Sequence, residues 1–202
     1  LSKTGEPEKF TAGFNALRSF LNRPEVTGTI ENRKALVSFH YNSKGRLKPL
    51  LILTLPPDAG FREVATLLGS KDELVVKRLK GNGRKMQIWP ARGSQTDTIY
   101  VAWLPGLIAC SSSEDLLEMA EEASAGGINI RQAKGLDRLI ATAGKEGDRI
   151  YIIFSNMGRF SENLTGKTDS DLMKFIEGIS GSACFDIYIN DQGYVFGGYF
   201  HS

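Results

Sequence analysis

The sequence predicts a compact, soluble α+β fold built from antiparallel hairpins with helices packed on them. Three observations carry this. Short β-rich runs come in pairs around Gly-containing turns, at 35–55, 73–90, 98–111 and 183–201. Between the pairs lie segments with apolar residues at helical spacing. Within its 202 residues, 41% hydrophobic and 24% charged, there is enough apolar material for one large domain or two small lobes.

The elements follow in order. Phe10, Phe14, Leu17 and Leu21 recur at i, i+4, i+7 and i+11, one face of a helix over about residues 7–22 that Pro24 ends. Ala35 to Asn42, the turn 43–46 and Leu47 to Leu55 read as the first hairpin. Asp58 caps a short helix carrying Phe61, Val64, Ala65 and Leu68 and closing at Gly69. Glu73 to Lys80 and Arg84 to Pro90 flank Gly81-Asn-Gly83, and Thr98 to Leu104 and Leu107 to Ser111 flank Pro105-Gly106. Ser113 caps a helix with Glu114 and Asp115 in its first turn, where carboxylates favour the helix dipole; it stops at Gly126-Gly127.

A shorter second part contains a helix near 134–144, a strand 149–154, a polar stretch 155–170 and a helix near 169–178. It closes with Ala183 to Asn190, the turn 191–193 and Tyr194 to His201. The chain is read as a single compact domain over 1–202, with two unequal lobes, about 1–130 and 131–202, as the finer division. The first and last hairpins echo each other. Residues 35–46 align without gaps on 183–194, matching Ala35 with Ala183, Asn42 with Asn190 and Gly45 with Gly193. Duplication of a helix–hairpin unit predicts equivalent sheet positions for the two strands; convergence on common turn residues is the competing account.

A formal charge of +2 argues against a nucleic-acid partner, because phosphate binding usually brings a large basic excess. No apolar run reaches the ~20 residues that span a bilayer. The chain opens on Leu1 rather than Met, as a piece of a longer protein would, so a missing leader says nothing about compartment. Cys110 and Cys184 lie 74 positions apart in apolar strands, without CxxC spacing. They read as two buried thiols, with a single disulfide as the other possibility.

Candidate sites each have a plain structural reading. His40 sits mid-strand and His201 is penultimate, and neither has metal-ligand spacing. Ser111-Ser-Ser113 loosely suggests a nucleophile at a strand-to-helix turn, but lacks GxSxG glycines, and a helix cap explains Ser113. Asp186 lies in an apolar strand on the face of Cys184, Tyr188 and Asn190, with nothing nearby that pairs with it as a second catalytic carboxylate. Trp89 and Trp103 near strand ends fit either a groove edge or core anchors. Lys77, Arg78, Lys80, Arg84 and Lys85 surround the 81–83 turn without an acid among them. With Lys44, Arg46 and Lys48 they suggest a basic face for anionic headgroups or polymers; a solvated hairpin tip is the alternative. The turn lacks the spacing of a phosphate-binding loop. No catalytic residue, metal site or cofactor is assigned.

A set of segments carries a family resemblance. They are Ile99 to Ala102, Gly106 to Glu118, Gly126 to Ile130, Gly135 to Leu139, Ile150 to Ile152 and Ala183 to Ile187. Their spacing and strand character, over most of 35–200, resemble a family of uncharacterised, membrane-anchored envelope proteins of Bacteroidetes, a domain of unknown function. Gly181-Ser182 departs from the pattern, which would place a bulkier, often aromatic residue before Ala183. The resemblance implies an extracytoplasmic location, periplasmic or in the cell envelope, and a membrane anchor preceding Leu1. It implies no chemistry. The sequence therefore points to a non-enzymatic extracytoplasmic module that binds a protein or envelope component. A hydrophobic-ligand or lipid carrier and a hydrolase with a scattered active site are the alternatives.

Overall fold

The computed structural model describes residues 6–22, 33–56, 75–78, 85–90, 98–104, 106–126, 136–142, 148–154, 181–190 and 193–201, with 24, 26, 27, 157, 160, 171, 174 and 178 as single positions. The fold is α+β with two antiparallel sheets and helices packed alongside. The chain divides into two compact units, Leu1–Gly126 and Gly127–Ser202.

In the first unit, helix α1 spans Glu6–Leu21. Strands β1 (Ala35–Tyr41), β2 (Leu47–Thr54), β3 (Val75–Arg78), β4 (Lys85–Pro90), β5 (Thr98–Leu104) and β6 (Leu107–Ser111) form one sheet, ordered β1-β2-β6-β5-β4-β3. Helix α2 covers Glu114–Gly126. The β1–β2 turn closes because Gly45 adopts φ 68°, which a side chain disfavours, and because the Asn42 side chain accepts hydrogen bonds from the Lys44 and Arg46 amides.

Alternation along the strands sends apolar side chains to both faces, and a helix covers each. Leu51, Leu53, Ile99, Val101, Ile108 and Cys110 pack against Ala16, Leu17 and Phe20 of α1. Leu50, Ala102, Leu104 and Ala109 pack against Leu117 of α2 on the other face. The unit is a helix–sheet–helix sandwich. Burying both faces explains why β2 reads as a continuous apolar run, Leu50 to Leu53, rather than an alternating one.

The second unit contains helix α3 (Leu136–Thr142) and strands β7 (Asp148–Ile153), β8 (Ser182–Asn190) and β9 (Gly193–His201), ordered β7-β8-β9. Helix α3 packs on β8 and β9. Asp171, Lys174 and Gly178 are helical, in the span expected for the last helix. The expected helix over 58–69 and the turns at 81–83 and 191–192 lie outside the described residues.

The two echoing segments, β1 and β8, each open a hairpin, but their sheet positions differ. Among the described residues β1 borders only β2, whereas β8 lies between β7 and β9. The expectation of equivalent positions is not met. The Asn and Gly matches stand on turn chemistry that any hairpin can share.

Candidate functional site

The two edges of the six-stranded sheet contrast sharply. The β3 edge, Val75–Arg78 among the described residues, contains Lys77 and Arg78, residue types of the kind that discourage a strand from joining another. The β1 edge is seven residues long, ALVSFHY, with no Lys, Arg, Asp, Glu or Pro. On it, Leu36 is 44% exposed, Val37 46% and Phe39 38%. An edge strand that is long, uncharged and apolar on the outside is a template for another strand.

Which main-chain groups of β1 face outward follows from register. The Asn42 amide donates to the Arg46 carbonyl at 2.9 Å, and the Thr54 amide to the Lys34 carbonyl at 3.0 Å. These bonds fall at the two ends of the ladder that pairs Ala35 with Leu53 and Tyr41 with Leu47. Bonded pairs alternate along an antiparallel ladder, so Leu36, Ser38 and His40 direct their amides and carbonyls to β2. Ala35, Val37, Phe39 and Tyr41 direct theirs away from it. Val37 and Phe39 thus combine outward main-chain groups with exposed apolar side chains.

The position of β1 is fixed by a polar tie at its C-terminal end. Asn42 Nδ2 donates to Ser113 Oγ at 3.1 Å, Ser113 Oγ donates to Asp115, and the Ser43 amide donates to Asp115 Oδ2 at 2.6 Å. Burial pushes the Asp115 carboxyl up, but the bonds from Ser113 and Ser43 outweigh it and hold the carboxyl below its ordinary value. The tie joins the hairpin turn to the start of α2.

The serines beside this tie differ in their partners. Ser111 Oγ donates to the Pro49 carbonyl at 2.7 Å and accepts from the Ser113 amide at 3.1 Å. Ser112 Oγ is buried without a hydrogen-bond partner, and a Cβ on Gly13 would come within 2.8 Å of it. A serine nucleophile needs a base within hydrogen-bond reach. Ser111 donates to a main-chain carbonyl, which is not one, whereas Ser113 donates to the Asp115 carboxylate within its own helix cap. Ser113 stands at the cap position expected for it, immediately before Glu114.

His40 Nε2 lies 2.8 Å from Ser38 Oγ, and His40 pairs across the ladder with Lys48. Partial burial of the ring lowers its pKa below the ordinary histidine value. The His201 main chain ends β9, opposite Ser182. Among the described residues no group of three His, Cys, Asp or Glu side chains is placed to hold a metal ion. Cys110 and Cys184 are free, buried thiols, one in each unit; burial pushes Cys110 up to about 12.

Asp186 has a partner that sequence reasoning missed. Arg149 lies directly opposite it on β7 and donates Nε to Asp186 Oδ1 at 2.9 Å, both side chains being mostly shielded. Hydrogen bonds with Tyr151 and then Asp186 raise the Arg149 pKa. Burial is the main cause that raises the Cys184 thiol, with the Asp186 charge adding to it. The arrangement is a charge pair on the sheet face of a buried thiol. Strand alternation gave the face of Asp186; only the β7–β8 register names its partner.

Of the basic hairpin, Lys77, Arg78 and Lys85 lie on β3 and β4, and Arg78 pairs directly with Lys85. Lys80 and Arg84 lie outside the described residues. Lys44, Arg46 and Lys48 belong to the hairpin at the opposite edge. With β6 and β5 between them, β2 and β4 stand about 14 Å apart, so the two hairpins are not neighbours on one basic face. Trp103 packs at the α1 core, with its indole nitrogen buried, which favours the anchor reading over a groove edge. Trp89 pairs with Ile99 in the β4–β5 ladder.

No protein-family model, no curated protein and no solved structure matches this chain.

Proposed function

We propose that this chain is a non-enzymatic binding module of the extracytoplasmic envelope, which takes up an extended segment of a protein along β1. The location rests on the family resemblance. The binding mode rests on one observation: the long outer strand of the larger sheet is uncharged and exposes Leu36, Val37 and Phe39. Strand addition suits such a surface. The incoming main chain bonds to the outward groups at odd positions, and its alternate side chains cover the exposed ones. The polar tie at Asn42, Ser113 and Asp115 holds the strand ready, which reduces the entropy lost on binding.

Photo-cross-linking in native envelope tests this. A benzophenone amino acid replaces Leu36 or Val37, with Met119, 52% exposed on α2, as the comparison position. Defined protein adducts, of self or of another protein, are expected at 36 and 37 and not at 119. No adduct at either strand position, or the same adducts at all three, rejects the reading.

A further inference from the structure

We infer that the second unit contains a binding site for a neutral sugar residue of a glycan, formed by Arg149, Asp186, Gly197 and Tyr199 on one face of its sheet. The site lies in a different unit from β1, so the inference goes beyond the strand-addition reading and does not depend on it.

Register brings these residues together. Arg149, Asp186 and Gly197 form one row across β7, β8 and β9, and Tyr151, Cys184 and Tyr199 form the next. Residues directly opposite each other share a face, and so do residues two apart on one strand. All six positions therefore lie on a single face. At Gly197 that face is notched, because a Cβ there would meet nothing within 4 Å. The Asp186 side chain is drawn away from the notch by its partner on β7, the Arg149 Nε at 2.9 Å. Tyr199 stands two residues along β9, about 7 Å from Gly197. It is 46% exposed. An ion pair and an exposed aromatic ring thus border one opening on the sheet.

The chemistry of that border selects the ligand. Arg149 and Asp186 neutralise each other, so the opening offers an ion no net charge. A single carboxylate is too few for a metal ion, and among the described residues no group of three His, Cys, Asp or Glu side chains is placed to hold one. An apolar ligand would cover a mostly shielded ion pair without bonding to it, which costs free energy. An extended peptide seeks main-chain groups along a sheet edge, whereas the polar atoms here are side chains on the sheet face.

A sugar fits each part. Every hydroxyl both donates and accepts, and the pair sets a carboxylate acceptor beside guanidinium donors, so adjacent hydroxyls can bond to both. The C–H face of the same sugar ring needs an apolar wall, and the exposed Tyr199 ring supplies one. Ligand sites commonly combine such a wall with a few convergent polar groups. Gly197 is what admits the sugar, since any side chain there would occupy the space between Tyr199 and Asp186.

Arrays of oligosaccharides and of unglycosylated peptides, probed with the full chain, test this. The wild type is expected to retain oligosaccharides ending in neutral hexoses or N-acetylhexosamines and to pass over the peptides. Titration of a retained oligosaccharide, followed by NMR, then compares variants. Gly197→Val, which fills the notch, and Tyr199→Ala, which removes the wall, are each expected to weaken binding about tenfold or more. Both positions are exposed, and the buried Cys184 thiol, unreactive while the unit is folded, confirms that each variant keeps its fold. Met119→Ala, in the first unit, is expected to bind as the wild type does. Retention of no oligosaccharide, retention of peptides in their place, undiminished binding by either folded variant, or an equal loss in Met119→Ala overturns the inference.

Discussion

Replacement of Leu51 by Ala is expected to lower the stability of the first unit by about 2–5 kcal/mol, the range for emptying a filled leucine site. Leu51 is 2% exposed in β2, with Val37 on one side and Cys110 on the other. It belongs to the cluster that binds α1 to the sheet. Strands on both sides fix its backbone, so the site cannot collapse to refill the space, which places the cost toward the upper part of that range. Cys110 reports the change, because its thiol is buried in the same cluster and reacts only when the unit opens. Thiol labelling in increasing urea is expected to reach its Cys110 midpoint at lower denaturant in the variant. An unchanged midpoint would show that the cluster contributes little.

Gly198→Val is the second large effect, and it acts in the other unit. Gly198 pairs with Phe185 across β8 and β9. A Cβ there would overlap Phe185 Cδ1 and lie 2.7 Å from Cε1 and 3.1 Å from the Cys184 carbonyl oxygen. The ring lies over the glycine, so any side chain must displace it. Valine has the better strand propensity, worth up to about 1 kcal/mol. Forcing a packed aromatic out of place costs about 1–3 kcal/mol. The steric cost outweighs the propensity, since a branched side chain meets both ring and backbone. Labelling of Cys184, which is buried on β8, is expected to shift to lower urea by that amount. Gly197→Val is the control, because a Cβ at Gly197 meets nothing within 4 Å. Equal shifts in both variants would mean that strand propensity, not the Phe185 contact, governs the site.

These two residues show what could be read from the sequence. Leu47 to Leu55 read as a strand of the first hairpin, and Phe10, Phe14, Leu17 and Leu21 as one face of a helix; that the strand is buried and the helix packs on it came from the structure. Turn chemistry at Asn42 and Gly45 placed the first hairpin correctly. Local periodicity does not record which hairpin joins which. Strand β2 pairs with β6 across a long stretch of intervening chain, and nothing in either strand names the other. The same gap hid Arg149 from Asp186, and it hid the ring over Gly198. The edge position of β1 was hidden for a different reason. Leu36 and Val37 are apolar on opposite faces, a pattern that ordinarily marks a strand covered on both sides. Here both side chains remain exposed, and that departure from pattern is what draws attention to the strand. The basic hairpin drew attention in the sequence because it is dense in charge; the structure places two of those residues, Lys77 and Arg78, on the outer strand β3.

Residue-resolved amide exchange is the most direct measurement of the central claim, that β1 accepts a strand. Even positions of β1 bond to β2 in the unbound chain, while Ala35 and Val37 direct their amides outward. Exchange is followed as protein concentration rises, and again after addition of any partner identified by photo-cross-linking. The account predicts slowed exchange at Ala35 and Val37 on binding, with Leu36 and Ser38 protected throughout. Exchange at Ala35 and Val37 that stays fast at every concentration and with every such partner would contradict it.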